Sequence, residues 1–179
     1  MKIRIQLPLD EKTAGSLHAG DSVLLSGTVY AARDEAHENM VRLLEEGKDL
    51  PFDIRNATVY YVGPAPAPPG RVIGPAGPTT SGRMDAYTPV LLRKGLRGMI
   101  GKGERSEEVI EAMKETGAVY FGAVGGAGAL LSKCIISQKV IAWEELGPEA
   151  LREMQVRDFP AAVVIDTRGN DLYKRNQTV

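Results

Sequence analysis

The sequence predicts a mixed α/β fold in a single domain that spans residues 1–179. Two segments with strand character come early in the chain, and three units of strand, loop and helix follow. A chain of 179 residues that is 43% hydrophobic can bury one sizeable core. Early strands followed by alternating strands and helices favour an α/β domain with a layer of β structure at one side.

The first half of the chain contains three predicted strands and one predicted helix. KIRIQL alternates polar and apolar residues, as a half-buried strand does, whereas ARDEAHENMVRLLEE places its apolar residues at helical spacing. The segment GPAPAPPG is too rich in proline for a helix and is expected to be a rigid loop. In order, we predict a strand at 2–7, a connection at 10–20, a strand at 22–30, a helix at 32–46, a strand at 57–62 and a loop at 63–70.

The second half repeats the pattern of strand, loop and helix. The buried segment GMIG, the amphipathic EEVIEAMKET that stops before Gly117, and the apolar AVYFGAV are the clearest elements. A short helix from Ser81 to Thr88 is expected to end there, because proline disfavours helical geometry in the residue before it. In order, we predict a helix at 81–88, a strand at 98–101, a helix at 107–116, a strand at 118–124, a helix opened by GGAGALLSKCI, a strand at 139–143, a helix at 148–154, a strand at 161–167 and a tight turn at RGND.

Composition excludes several classes of function. The 22 basic and 23 acidic residues give a net charge of -1, which indicates neither a nucleic-acid footprint nor a membrane-surface patch. No apolar run approaches a membrane span of about 20 residues, and MKIRIQLPLDEKT lacks the apolar region of a secretory signal, so a cytoplasmic protein is expected. Cys134 is the single cysteine, so an iron–sulfur or zinc centre would need ligands from another chain.

The segment GPTTSGRMD is the first candidate site. If Thr79 and its neighbours lie at the N-terminus of the predicted helix, their hydroxyl and N–H groups face the positive end of the helix dipole, which suits a carboxylate or phosphate. Arg83 adds a planar fork for bidentate capture of a carboxylate. The alternative is an ordinary helix cap followed by a solvent-facing arginine.

Two further loops offer cations after predicted strands. Lys102 lies between two glycines in IGKGER, where the backbone can bend tightly and give a ligand close access; the alternative is a solvated turn lysine. Arg33 begins RDEAH and either binds a ligand or pairs with Asp34 or Glu38. Because ligands of α/β sheets collect at such loops, Arg33, Lys102 and the pair Thr79 and Arg83 together suit a small dicarboxylate.

The remaining candidates are interpreted structurally. In RDEAH, His37 is expected to bond to backbone, His18 is expected in a loop, and Cys134 is expected to be a buried thiol. The segment GAVGGAGALL lacks the glycine order of a dinucleotide fingerprint, so we expect close packing of a helix start there, or a wall of the active site.

The motifs RDEAH, GPTTSGRMD, GKG and GAVGGAGALL occur in this order, followed by a predicted strand near Trp143. Together they resemble the β subunit of class I fumarate hydratase and L-tartrate dehydratase. The same unit forms the C-terminal domain of the single-chain members of this iron–sulfur hydro-lyase family. The resemblance covers residues 2 to about 173, and GPTTSGRMD is its most specific motif while RDEAH is its least specific.

The resemblance implies a swivelling β/β/α domain that closes over a partner α subunit in a hetero-oligomer. The [4Fe-4S] cluster would be bound by that α subunit and not by this chain, which would have negligible hydratase activity alone. Thr79 matches the proposed proton-abstracting threonine of the family. Arg33, Arg83 and Lys102 match the basic side chains that bind the substrate carboxylates. The implied reaction is the reversible hydration of fumarate to L-malate.

Other functions stay open on the sequence. A tartrate dehydratase β subunit would act on a substrate that also carries two carboxylates. The small swivelling subunit of an aconitase-type isomerase fits the motifs less well. A non-catalytic module for anion binding or assembly would leave an α subunit active by itself, and the glycine spacing argues against a nucleotide-binding domain.

Overall fold

Seven strands form one hydrogen-bonded sheet in the computed structural model, which describes residues 2–123 and 128–175. The strands are β1 (Ile3–Gln6), β2 (Ser22–Ala31), β3 (Thr58–Tyr60), β4 (Gly98–Gly101), β5 (Val119–Ala123), β6 (Ile135–Ala142) and β7 (Leu151–Ile165). Strands β2, β3, β4 and β5 pair in this order and run parallel, and β1 runs parallel to the first half of β2. Their carboxyl ends therefore meet at one edge of the sheet.

The long strand β7 closes the sheet into a ring. It runs antiparallel to β2 over Ser22–Ala31 and antiparallel to β5 over Tyr120–Ala123, so β2, β3, β4, β5 and β7 are hydrogen-bonded in a circle. Strand β6 pairs antiparallel with β7 and lies at the end of the strand order. The antiparallel strands thus form a β layer beside the parallel strands.

Six α-helices complete the described structure: α1 (Glu11–Ser16), α2 (Asp34–Glu45), α3 (Thr88–Arg93), α4 (Glu107–Thr116), α5 (Gly128–Leu131) and α6 (Leu172–Arg175). Local sequence explains where α4 begins and ends. The Ser106 side chain accepts a hydrogen bond from the Val109 N–H at 3.3 Å, and Gly117 ends the helix in the left-handed conformation with φ of 76°. Acidic residues in the first turns of α2 and α4 complement the helix dipoles.

Two apolar clusters pack on opposite faces of the parallel strands. Consecutive residues of the β3 segment show the alternation, because Tyr60 lies in one cluster and Tyr61 in the other. The first cluster joins β3, β4 and β5 to β1, β2 and β7, and includes an edge-to-face contact of Tyr60 with Phe159. The second cluster joins them to α2, α3 and α4. The predicted α/β class and the β layer are thereby confirmed.

The expected helix at 81–88 is wrong. Ser81–Met84 forms a single 3-10 turn, and α3 begins only at Thr88, with Pro89 in its first turn. Proline lacks the N–H that a helix interior needs, so it fits the start of a following helix as well as the end of a preceding one. Leu91 and Leu92 of α3 are buried in the second cluster.

The expected helix at 148–154 is also wrong. Residues 144–149 form a distorted 3-10 turn, and the chain then enters β7, which pairs with both β2 and β6. The predicted strands at 139–143 and 161–167 overlap the longer β6 and β7, but each extends past the end of the observed strand, which is Ala142 in β6 and Ile165 in β7. Pro160 and the positive φ of Asp158 lie inside β7, so the local sequence does not resemble a continuous strand.

Several smaller expectations are also settled. The RGND turn closes with the Gly169 N–H bonded to the Asp166 carbonyl at 3.1 Å, as expected. The connection at 10–20 contains α1, which Asp10 caps through the Thr13 N–H. Cys134 is a free thiol that packs against the first cluster but is only partly buried, so the expectation of a buried thiol is wrong. Among the described residues, no helix has the length and apolar character needed to cross a membrane.

Candidate functional site

The four sequence-predicted site residues gather at the carboxyl edge of the parallel strands. Arg33 follows β2 and precedes α2, whereas Lys102 directly follows β4. Thr79 lies just before the 3-10 turn and Arg83 lies within it, and this segment crosses the ends of β3 and β4. Since these strands are parallel neighbours, loops far apart in sequence meet at this edge.

Thr79 is anchored by its backbone while its side chain stays free. The Thr79 N–H donates to the carbonyl of Tyr61, just after β3, at 2.8 Å. Within the described residues, the Thr79 hydroxyl forms no hydrogen bond, and the residue is half-buried. The expected helix dipole is not behind it, because the helical turn from Ser81 has only four residues and Thr80 makes no side-chain capping bond.

Arg83 connects the GPTTSGRMD segment to the start of α2. Its Nη2 atom lies 2.8 Å from Oδ2 of Asp34, and the Arg83 side chain is 53% exposed. Asp34 keeps its other oxygen, Oδ1, buried and without a hydrogen-bond partner. The salt bridge therefore brings the most specific and the least specific of the four motifs into contact, while about half of the Arg83 side chain stays exposed to solvent.

Arg33 forms no ion pair with the described residues. The alternative pairing with Asp34 or Glu38 is wrong, because Asp34 binds Arg83 and Glu38 binds Arg42. Its Nε atom is buried and has no partner. The side chain passes over Gly63, where a Cβ would lie 2.7 Å from Cδ of Arg33. Arg33 thus keeps donors that a ligand can satisfy.

Lys102 projects from a turn that is fixed by its backbone. Residue Thr80 forms a parallel bridge with Lys102, and the Ser81 N–H donates to the Lys102 carbonyl at 2.9 Å. The Lys102 side chain is exposed and makes no ion pair in the described part of the chain. It lines a pocket of about 280 Å³ with Gly77, Pro78, Ala123 and Leu131.

The described part of GAVGGAGALL packs closely on the same segment. Residues 124–127 lie outside the described residues, but the Ala76 N–H donates a hydrogen bond to the Gly128 carbonyl at 3.1 Å. A Cβ on Gly128 would lie 2.6 Å from the backbone nitrogen of Gly77. The expected close packing is therefore present at Gly128, where only glycine leaves room for the neighbouring backbone.

His37 is a buried neutral imidazole on α2. Its Nδ1 lies 2.8 Å from the Arg33 carbonyl, which only accepts, so the proton is on Nδ1 and the expected backbone bond is confirmed. Burial lowers the pKa of His37 to about 4. The Nε2 atom is buried without a partner. His37 thus supports the backbone of Arg33 and stays uncharged near neutral pH.

Sequence reasoning missed a buried polar network beneath the site. Arg105, whose side chain is fully buried, donates to Oδ1 of Asp85 at 2.7 Å, to the Tyr61 hydroxyl at 3.1 Å and to the Thr88 hydroxyl at 3.0 Å. The Ser106 N–H donates to Oδ2 of Asp85 at 2.8 Å. A buried ion pair needs such additional hydrogen bonds to offset its desolvation. An arginine in the turn KGERS carries no local signal of burial.

A larger pocket lies away from this edge. It has a volume of about 550 Å³ and lies between the end of α2 and the following loop, where it is lined by Leu44, Lys48, Phe52 and Lys94 among others. None of the sequence-predicted site residues borders it. The smaller pocket is lined by Lys102, whereas Arg33, Thr79 and Arg83 do not border it.

The residues at the edge are suited to anions and not to a metal. Within residues 2–123 and 128–175, no group of three or more His, Cys, Asp and Glu side chains could hold a metal ion. Cys134 cannot by itself supply the thiolates of an iron–sulfur cluster. The described side chains therefore do not fit a resident cluster, whereas Arg33, Arg83 and Lys102 fit carboxylate groups.

Comparison with known proteins identifies the same family as the sequence motifs. Residues 1–176 match the family model described as Fumarase C-terminus. The chain is 38% identical to Fumarate hydratase 2 of Leishmania major over 98% of its own length and 32% of the relative's length. It is 37% identical to the anaerobic class I fumarate hydratase of Escherichia coli K12, over 98% of this chain and 33% of that one. The chain thus spans about a third of these relatives.

A third relative has a similar length. The chain is 36% identical to the "Putative L(+)-tartrate dehydratase subunit beta" of Methanocaldococcus jannaschii. The match covers 93% of this chain and 88% of the relative. The resemblance noted in the motifs is therefore confirmed over nearly the whole chain.

Proposed function

Because this chain belongs to the Fumarase C-terminus family, we propose that it is the β subunit of a [4Fe-4S]-dependent hydro-lyase that reversibly hydrates fumarate to L-malate. In this proposal a partner α subunit binds the cluster, this domain closes over it as a swivelling unit, and turnover requires both chains. One observation carries the proposal. Three loops bring Arg33, Thr79, Arg83 and Lys102 to a single sheet edge, with two cations unpaired among the described residues.

The three cations bind the two carboxylates of the substrate. Removal of a proton from the carbon beside a carboxylate places negative charge on that carboxylate, so fixed positive groups stabilise the transition state. Arg33 and Lys102 form no ion pair with the described residues, and Arg83 has only Asp34 as a partner. These groups can therefore take up a dicarboxylate without first losing strong internal contacts.

Thr79 transfers the proton in this proposal. In the dehydration direction Oγ1 receives the proton from carbon, and in the hydration direction it returns that proton. A threonine hydroxyl is a poor base in water, so the reaction needs nearby positive charge and exclusion of water, with Thr79 acting as alkoxide or within a relay. Its free hydroxyl and its backbone bond to Tyr61 support the assignment.

Tartrate is the second candidate substrate. The relative from Methanocaldococcus jannaschii, which is named as a putative tartrate dehydratase β subunit, supports it. This chain covers 88% of the length of that relative but only about a third of the length of the fumarate hydratases. Both substrates present two carboxylates and differ in their hydroxyl groups. The same three cations would therefore serve either reaction.

The deciding experiment mixes this chain with its cognate cluster-bearing α subunit under anaerobic conditions. Fumarate loss is followed by ultraviolet absorbance, and dehydration of L-tartrate is measured in parallel. We expect turnover only in the mixture. Full activity of the α subunit alone would instead favour the non-catalytic module for anion binding or assembly.

Substitutions in the same mixture test the residue roles. Arg33→Ala, Arg83→Ala and Lys102→Ala should each lower kcat/KM by about 10²–10³-fold, because each removes a fixed charge from the transition state. Arg42→Ala is the matched control, since Arg42 lies on α2 but pairs with Glu38 at the surface. Near-normal turnover of Thr79→Ala would show that Thr79 does not transfer the proton.

A further inference from the structure

Two buried hydroxyl groups hold the turn that carries Lys102. Ser81 Oγ lies 3.0 Å from the Lys102 backbone nitrogen and 2.7 Å from the Tyr120 hydroxyl. The Tyr120 hydroxyl in turn lies 2.9 Å from the Gly103 carbonyl. Ser81 is fully buried, and so is Tyr120. The two side chains thus bind the backbone on both sides of the Lys102 Cα.

The donors and acceptors fix the direction of this chain of hydrogen bonds. The Gly103 carbonyl only accepts, so Tyr120 donates its single proton there, and Ser81 must donate to the Tyr120 oxygen. Ser81 Oγ then accepts from the Lys102 N–H. Burial raises the pKa of Tyr120, so the phenol keeps this proton. Only one arrangement of the protons gives each donor and acceptor in this series of hydrogen bonds a partner.

The surroundings leave little freedom to this arrangement. The Arg105 guanidinium lies over the Tyr120 ring, 4.9 Å from its centre, where a cation–π contact favours this ring position. At Gly101, a Cβ would lie 1.9 Å from Ser81 Oγ, so a larger residue would displace the hydroxyl. The Ser81 N–H also donates to the Lys102 carbonyl at 2.9 Å. Ser81 therefore binds both backbone polar groups of Lys102.

We propose that Ser81 and Tyr120 are positioning residues that hold Lys102 at the carboxylate-binding edge through this chain of buried hydrogen bonds. The inference rests on the proposed role of Lys102 in binding substrate. A lysine side chain has many rotamers, so its ammonium reaches a fixed place only if its backbone is fixed. A displacement of about 1 Å in such a group can lower the rate by about 10²-fold.

The test uses Tyr120→Phe and Ser81→Ala, which remove the hydroxyl groups and keep most of the buried apolar surface. Thr58→Val is the matched control, because the Thr58 hydroxyl is buried in β3 without a partner. The first measurement is hydrogen–deuterium exchange of the Lys102 amide in this chain alone, which requires no turnover. The reference is the Tyr61 amide, which donates to the Ile100 carbonyl at 2.9 Å.

We expect the Lys102 amide to exchange at least about tenfold faster in both hydroxyl variants, while the Tyr61 amide and the Thr58→Val control stay unchanged. In the assembled enzyme, Tyr120→Phe should lower kcat/KM by about tenfold or more. In a Lys102→Ala background the same change should add less than about twofold, because Tyr120 acts through Lys102.

Three outcomes would overturn the inference. Unchanged exchange of the Lys102 amide would show that the hydroxyl groups do not hold the turn. Fully additive effects of Tyr120→Phe and Lys102→Ala would show a general structural role. If Lys102→Ala alone left kcat/KM unchanged, the proposed function of Lys102 would fail and the positioning role with it, whatever the exchange rates in the isolated chain.

Discussion

At the scale of single residues, Gly63 makes room for the side chain of Arg33. A Cβ at Gly63 would lie 2.7 Å from Cδ of Arg33, 3.0 Å from its Nη1 and 3.1 Å from the Pro148 carbonyl. The backbone of Gly63 does not have the positive φ that favours glycine. Position 63 therefore requires glycine because of the neighbouring arginine and not because of the backbone conformation.

Gly63→Ala should displace Arg33 without unfolding the chain. We expect kcat/KM of the assembled hydro-lyase to fall by about tenfold or more, because the guanidinium is moved from its place at the site. Steady-state kinetics with fumarate and malate would measure this. Gly15→Ala is the control, since nothing lies within 4 Å of a Cβ there. Equal activity of the two variants would contradict the steric argument.

His37 couples the stability of the fold to pH. Burial is the main cause of its low pKa of about 4, and the charge of Arg105 acts in the same direction. The hydrogen bond to the Arg33 carbonyl and the charge of Asp34 oppose the shift. Because the unfolded chain has the ordinary histidine pKa of about 6.5, it binds a proton below pH 6.5 that the folded chain does not bind until about pH 4.

The stability from this neutral histidine is complete above about pH 6.5 and is lost as the pH falls towards 4. We expect the free energy of unfolding to lose about 2–3 kcal/mol from this source between pH 7.5 and 4.5. Urea denaturation at both pH values would measure this loss. In His37→Gln the free energy of unfolding should fall by about 2–3 kcal/mol less over the same pH range. His18→Gln, at an exposed site, should behave like the unchanged chain. Equal pH dependence of all three proteins would exclude His37 as the cause.

At the scale of elements, the pairing of β2 with β7 depends on an irregularity at Gly27. The register of the two strands shifts between Leu25 and Gly27, and Gly27 has a φ of 126°, which is accessible mainly to glycine. A Cβ there would lie 2.8 Å from the Leu7 carbonyl. The irregularity thus lets the end of β1 approach β2 closely.

Gly27→Ala should destabilise the fold by about 2–4 kcal/mol, because it adds backbone strain and a steric clash inside the ring of strands. Chemical denaturation would measure the change. Gly15→Ala in α1 should be neutral or slightly stabilising, since alanine favours helix more than glycine does. A loss below about 1 kcal/mol for Gly27→Ala would mean that the strands can shift at little cost.

At the scale of the whole molecule, the two apolar clusters share the same strands. In β4, Met99 belongs to one cluster and Ile100 to the other, and in β5 the same is true of Tyr120 and Phe121. Loss of either cluster would expose one face of the parallel strands. The helices and the β layer therefore both stabilise the same parallel strands.

We therefore expect the isolated chain to unfold in one cooperative transition. Far-ultraviolet circular dichroism, which reports backbone structure, and tyrosine signals from the near-ultraviolet, which report side-chain packing, should give the same midpoint in urea. Two separated midpoints would show that the β layer and the helical layer unfold independently.

The sequence alone determined the α/β class, the loops that carry the candidate site and the types of residue in it. These features depend on local patterns: helical spacing before Gly117, alternation in KIRIQL, and cations placed directly after predicted strands. Local patterns did not determine the ends of strands whose extent is set by pairing with another strand. Residues 148–154 were expected to be helical, yet pairing with β2 and β6 makes Leu151 and its successors part of β7.

Only the tertiary structure decided which loops meet and which polar groups are buried. The contact of Arg83 with Asp34, the burial of Arg105 among Asp85, Tyr61 and Thr88, and the bond of Ser81 to Tyr120 join residues far apart in sequence. No local pattern carries such contacts, because they follow from the order in which parallel strands are hydrogen-bonded. That order places the ends of β2, β3 and β4 side by side, and with them the charges and hydroxyl groups of the candidate site.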